Sequence, residues 1–270
     1  LIILWFTPAQ YKSTSILAFS SPDSASLSSP LNKLNSLTSF AGFSLGLGDD
    51  SEIQIAQEIM VSWGFIEDFI EKNNLQVELY AVSGWNKKTN SLIIDDSIYD
   101  EENQKWLLED DDGQLRAPTS WELYNKFSKL LFVSPEAKTG FTELSIEYFS
   151  PYIAKQWVDL FFKDINSHMQ MRKLSKVNSN IEYLHSQIEK TSISHMEHSL
   201  FTIIEAQIKV KMIAEASPEH TFIVVSRSMV PEQESGVSRL FLLILGAMLG
   251  AVVSVIFVIM RYTTHVSSEQ

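Results

Sequence analysis

Leu240–Met260, LFLLILGAMLGAVVSVIFVIM, constrains this chain more than any other segment: 21 residues without a charge, bounded by Arg239 and Arg261. As a helix rising 1.5 Å per residue it covers roughly 30 Å, the depth of a bilayer's hydrocarbon core. A helix buried in a water-soluble core seldom runs so far without one charged residue. The segment is expected to span a membrane, and residues 261–270 after it are expected to form a short tail with no room for a signalling domain. The chain opens on Leu1-Ile-Ile-Leu-Trp-Phe6 and turns polar at Thr7-Pro8. Six apolar residues cannot cross a bilayer, and they have neither the charged start nor the cleavage site of a signal peptide. They read as the end of a first membrane helix, truncated in this chain, with Trp5 and Phe6 at the interface where aromatic rings are favoured. Two membrane helices then enclose residues 7–239. Arg227 and Arg239 before the second span and Arg261 after it do not choose a side, because long domains translocate largely regardless of flanking charge.

The enclosed segment has enough material for a packed core, since 45% of the 270 residues are hydrophobic and only 20% charged. The formal net charge of −12 argues against a nucleic-acid partner, which demands clustered Lys and Arg. With no cysteine, disulfide scaffolds, thiolate metal sites and cysteine nucleophiles are excluded.

Tyr11–Phe19 (YKSTSILAF) is predicted as a strand, and the Ser/Pro/Asn-rich residues 20–39 as a loop. Asp50-Ser51 caps a helix predicted to run through Glu71, with Ile55, Ile59, Trp63, Ile66 and Ile70 at helical spacing on one apolar face. Phe141–Phe149 (FTELSIEYF), closed by Ser150-Pro151, and Thr221–Val225 are further strands. Between Pro151 and Pro218 lie 66 residues without Gly or Pro, a composition that predicts a long helix over 152–217. Unbroken, it would reach roughly 100 Å. Leu174, Val177, Ile181, Leu184 and Ile188 repeat at coiled-coil spacing. An eight-residue step to Met196, Leu200 and Ile203 breaks the heptad, so the helix bends near Lys190–Ser194 or its buried face rotates there. Few other long helices are available to cover that seam, which points to a second copy of the chain as much of its partner.

Candidate chemistry is sparse. Gly42-Phe43-Ser44-Leu45-Gly46 matches the G-x-S-x-G of a hydrolase elbow, but the strand and helix that must flank such an elbow are missing from the pattern. Residues 95–112 hold nine carboxylates against Lys105, yet aligning Gly113 with a calcium-loop glycine puts Leu108 and Thr119 where oxygen ligands are needed. A solvated acidic loop is the better reading. His185, His195 and His198 share the long helical region without a carboxylate constellation such as H-E-x-x-H, and no phosphate-cradling or dinucleotide-binding glycine loop occurs. The sequence therefore supports no enzyme, no cofactor and no metal site. Gly246-Ala-Met-Leu-Gly250 is a G-x-x-x-G inside the membrane run, and small residues four apart let two helices approach closely.

Several segments together resemble the Wzz-type chain-length determinants, a polysaccharide co-polymerase family of the Gram-negative inner membrane. Thr7-Pro8-Ala-Gln-Tyr11 is similar to the family's exit from the first membrane helix. Ile53–Ile66 (IQIAQEIMVSWGFI) is similar to its first helix. Thr139–His168 (TGFTELSIEYFSPYIAKQWVDLFFKDINSH) is similar to its strand, Ser-Pro turn and entry to the long helix. Met229–Arg239 (MVPEQESGVSR) resembles the approach to the second span; where the family carries two or more prolines this chain has Pro231 alone, with Val237 in place of the last.

The resemblance implies an α+β fold, with a periplasmic base domain and a long projecting helix, anchored by two transmembrane helices with both termini in the cytoplasm. It implies a non-enzymatic regulator of surface polysaccharide length, such as that of the O-antigen of lipopolysaccharide. Such a regulator works as a ring-like homo-oligomer on a membrane polymerase, with lipid-linked polysaccharide as a further partner. Gly246 and Gly250 are then candidates for transmembrane packing, and Pro231 and Arg239 for juxtamembrane geometry. The alternative on residues alone is an extracytoplasmic sensor domain that lacks its output module.

Overall fold

The computed structural model describes residues 8–19, 49–136, 138–190, 194–216 and 221–235. The expected membrane segments 1–6 and 240–260, the tail 261–270, the loop 20–39 and Ser44 lie outside them, as do Arg239, Gly246 and Gly250. Among the described residues no helix is long and apolar enough to cross a membrane.

Strand β1 (Tyr11–Phe19) alternates strictly at first, with Tyr11, Ser13, Ser15 and Leu17 buried on one face. Helices α1 (Asp49–Val61), α2 (Trp63–Lys72) and α3 (Gln76–Tyr80) follow. Three small hairpins come next, β2 (Val82–Asn86) with β3 (Ser91–Ile94), β4 (Tyr99–Asp100) with β5 (Lys105–Trp106), and β6 (Leu108–Glu109) with β7 (Leu115–Arg116). Helix α4 (Ser120–Phe127), strands β8 (Leu131–Pro135) and β9 (Thr142–Tyr148), helices α5 (Pro151–Lys190) and α6 (Ser194–Ala216) and strand β10 (Phe222–Ser226) complete the order. This is a mixed helix-and-sheet architecture with a helix of 40 residues.

The main sheet is antiparallel throughout, in the order β10-β1-β9-β8. Its register sets Tyr11 opposite Tyr148, Leu17 opposite Thr142 and Phe19 opposite Phe222. Period-two alternation then puts Leu17, Leu144, Ile146, Tyr148 and Phe222 on a common face. The first turns of α5 present Ala154, Trp157, Val158, Phe161 and Ile165 at three- and four-residue steps, and all are buried in the same core. Helices α2 and α4 add Phe69 and Phe127; the Phe69 ring lies 5.1 Å from Phe161 and 5.3 Å from Phe127, and Tyr148 lies 4.4 Å from Trp157. A large-aromatic core of this kind is where truncation is most costly, about 3–5 kcal/mol for Phe to Ala.

Three sequence expectations are corrected, and one, the solvated acidic loop, is filled in. The helix predicted through Glu71 is two, because Ser62 sits at φ −72°, ψ 146° and accepts from Phe65 N, capping a new helix. That break turns Ile55 and Trp63 outward, and both are exposed. The stretch 152–217 is also two helices. Gln170 Nε2 donates to Ala214 O at 2.6 Å, and these residues stand equally far from Lys190 and Ser194 (190 − 170 = 214 − 194), so α5 and α6 run antiparallel as a hairpin. Val177 and Leu184 of the coiled-coil seam are buried against the chain's own α6 rather than awaiting a second copy. Finally, the acidic stretch is built into turns. Asp95 accepts from Ser97 N, Asp100 from Asn103 N, and Asp110 from Asp112 N and Gln114 N, with Gly113 supplying φ +76°.

Candidate functional site

Two places bring distant parts of the chain together in a way that bears on function. The first is the end of the sheet where both ends of the described domain meet. Beyond Ser226, the segment 227–235 runs along β1. Ser15 Oγ donates to Ser226 O and Ser13 Oγ to Met229 O, each at 2.9 Å, and Ser235 N donates to Gln10 O at 2.7 Å in an isolated antiparallel bridge. Ser228 Oγ reaches Asp159 Oδ1 of α5 at 2.5 Å, and Ser235 Oγ bonds Glu147 of β9. Pro231 is half-buried between these tethers. It has no N–H to give a ladder, so β10 is not continued through it. The buried serines of β1, an anomaly in a core-facing row, are explained by these carbonyl acceptors.

The second place is the root of the helical hairpin. Asn166, fully inside the protein, accepts from Phe222 N at 2.8 Å and Thr221 N at 3.3 Å and donates to Phe222 O at 3.0 Å. One side chain thus pairs the backbone of the returning strand to α5. Two residues earlier, buried Asp164 accepts from Lys72 Nζ at 2.5 Å and Asn73 Nδ2 at 2.7 Å, joining the C-terminal end of α2 to the same turn of α5. Past Met169, only Val177 and Leu184 of α5 are fully buried; its far half, roughly 30 Å of helix, packs mainly on α6, with Lys173 Nζ also tied to Glu52 of α1 at 2.7 Å.

Electrostatics single out few groups. The fork of Arg116 on Glu122, at 2.7 and 2.8 Å, together with the amide of Thr119, holds the Glu122 carboxyl at about 2, and Glu122 with Thr119 forms a capping box for α4. Burial raises the Glu78 carboxyl above its ordinary value. Burial pushes the Tyr148 hydroxyl upward as it donates to Glu78 O.

His185, His195 and His198 are exposed along α5 and α6. Among the described residues no three His, Cys, Asp or Glu side chains are grouped to hold a metal. Of Pro231, Arg239, Gly246 and Gly250, the candidates for juxtamembrane geometry and transmembrane packing, only Pro231 falls in the described part. Asn166 was visible there only as part of the Ile-Asn pair of the Thr139–His168 match. An Asn in a helix otherwise reads as solvated; its burial depends on a strand 56 residues later.

No family model matches the chain, and no curated protein matches it. Solved structures do. A fragment of WzzB, a polysaccharide co-polymerase from Salmonella Typhimurium, aligns over 84% of this chain and 99% of its own, at 13% identity and a TM-score of 0.36. A full-length bacterial polysaccharide co-polymerase aligns over 97% of this chain and 89% of its own, at 12% identity and a TM-score of 0.33. A mutant of the Shigella flexneri lipopolysaccharide O-antigen chain-length regulator WzzBSF covers 84% of this chain and 100% of its own, at 9% identity and a TM-score of 0.24. The structural neighbours of this chain are polysaccharide co-polymerases.

Proposed function

We propose that this chain is a non-enzymatic regulator of surface polysaccharide chain length, of the kind that sets the modal length of the O-antigen of lipopolysaccharide. In this reading it is a homo-oligomeric co-polymerase of the bacterial inner membrane, with its main domain in the periplasm and both termini in the cytoplasm. It acts on a membrane polymerase and makes no bond itself. The observation that carries the reading is the Gln10–Ser235 bridge. The two ends of the domain leave side by side, one toward the apolar residues 1–6 and the other toward the uncharged run 240–260, as a loop hung between two membrane helices requires.

The segments that resemble the Wzz-type proteins also fall on consecutive working parts of the fold: the start of β1, the helix α1, the β9–α5 turn and the segment that holds Pro231. Pro231 and Arg239 would set how the chain enters the second span, and Gly246 and Gly250 would let spans of neighbouring copies approach. A lipopolysaccharide ladder from the host with and without the gene tests the proposal. Loss of a modal cluster of bands, restored by the gene, is the expected result; an unaltered ladder, together with unaltered secreted and common polysaccharides, would overturn it.

A further inference from the structure

Trp63 and Trp121 begin two different helices and are 48% and 54% exposed, yet they are not loose. Their rings meet at 5.7 Å and 74°, as floor and wall of a corner, and Tyr124, three residues beyond Trp121, stacks on it at 5.4 Å and 29°. The polar end of each flanking ring is turned into the protein: Trp63 Nε1 donates to Ser120 Oγ at 2.7 Å and Tyr124 OH to Val61 O at 3.3 Å. Both helix starts are capped, by Ser62 and by Thr119. The result is a rigid aromatic surface whose apolar area, not its hydrogen-bonding ends, is offered to solvent.

Next to it stands the Arg116–Glu122 pair, about a third exposed on each side. The Glu122 charge also acts on the hydroxyl of Tyr80, which begins a second aromatic group with Trp106 at 6.2 Å and, from Trp106 to Tyr99, 4.9 Å.

We propose that Trp63, Trp121 and Tyr124 form a binding corner for a pyranose unit of a polysaccharide chain, with Arg116 and Glu122 as its hydrogen-bonding rim. The choice of a glycan as occupant rests on the chain-length reading; the corner itself rests on the ring geometry. A pyranose shows one face of C–H bonds, weakly positive and apolar, which suits the negative face of an indole, while its hydroxyls project at the edge toward charged donors and acceptors. A membrane surface fits less well. Interfacial tryptophans turn their N–H toward water and headgroups, whereas here the Trp63 N–H is already given to Ser120 Oγ. Helix α1, which leads to the corner, is tied by Gln57 to Thr142, opposite Leu17 and therefore at the other end of β1 from Gln10 and the chain ends. A protein partner would also accept aromatic anchors under a polar rim, so the choice of a glycan over a protein rests on the chain-length reading alone.

The test uses the full chain in detergent and, as probe, the host's own polysaccharide freed from its lipid by mild acid. Saturable binding is expected, read by tryptophan fluorescence and calorimetry. Trp121→Ala and Trp63→Ala should each weaken it roughly tenfold or more, and Trp121→Phe by less than about threefold, with melting curves unchanged because the rings are exposed. Binding that is equal in the native chain and both alanine variants, absent altogether, or transferred to phosphatidylglycerol vesicles free of glycan would overturn the proposal. A ladder that loses its mode on gene deletion but is unchanged by Trp121→Ala, with unchanged binding, removes the corner and retains the chain-length role. Tryptophan-dependent binding with an unaltered deletion ladder does the reverse.

Discussion

At the scale of single residues, two side chains hold joints that no neighbour duplicates. Glu122 closes the capping box of α4 and receives the fork of Arg116. Its carboxyl titrates at about 2 in the folded chain against 4.5 ordinarily. A depressed carboxylate stabilises the fold at every pH above its unfolded value, and that contribution is lost as pH falls from 4.5 toward 2. Glu122→Gln should therefore cost about 1 kcal/mol at neutral pH, a figure kept small because the pair is partly solvated. Denaturant titrations of variant and native chain should draw together as pH falls from 4.5 and converge only below about 2; a gap that persists there would show that shape rather than charge is responsible. Asn166 is the second joint. Asn166→Leu keeps the volume but strands the buried Phe222 N and O, so unfolding should become easier by about 2–3 kcal/mol. Thermal unfolding of the full chain in detergent reads this directly, and a melting curve within error of the native one would remove Asn166 as the pin between α5 and β10.

At the scale of elements, three of the four strands of the main sheet were legible, whereas β8, the hairpin strands β2–β7 and the helix count were not. Tyr11–Phe19 is a strand over the residues expected of it, and the strands expected at 141–149 and 221–225 differ by one residue at each end, because β-branched and aromatic residues bounded by turn formers leave little else to form. Ser62 looks like any polar residue on a helix face until its hydroxyl is seen to cap α2. The seam of α5 carries the same three-four spacing whether a second copy or α6 covers it, and the broken heptad that places a bend near Lys190–Ser194 does not say that the second helix runs back along the first. The corner of Trp63 and Trp121 depends on a tertiary contact between residues 57 apart in sequence, as Trp63 is from Ser120, so periodicity had no means of reporting it.

Because the far half of α5 packs mainly on α6 and is tied to the base by little beyond Lys173 and Glu52, it should open separately from the base. Leu184→Asp, which puts a charge at a fully buried seam position, should raise hydrogen exchange across residues 177–210 while β1, β9 and the first turns of α5 keep their protection. Uniform loss of protection through the base would mean that hairpin and base unfold as one unit.

At the scale of the whole molecule, the arrangement is a closed circuit: the first strand sits in the middle of the sheet, between strands that arrive some 130 and 210 residues later. Such a sheet forms only once the chain has returned, a non-local pairing of the slow-folding kind. It also fixes the two exits against one another, and the absence of cysteine makes that testable without background thiols. Partners in a hydrogen-bonded antiparallel pair have Cα atoms about 5.5 Å apart, inside the range a disulfide tolerates. Gln10→Cys with Ser235→Cys should therefore cross-link, closing nearly the whole domain into a loop and changing its mobility on a non-reducing gel. Disulfides persist in the periplasm and are reduced in the cytosol. If the domain is periplasmic, the bond should form in growing cells without added oxidant. Formation only after oxidant is added to isolated membranes would keep the bridge and place the domain on the cytosolic side. No cross-link under either condition would remove the bridge, and with it the observation on which the proposed function rests.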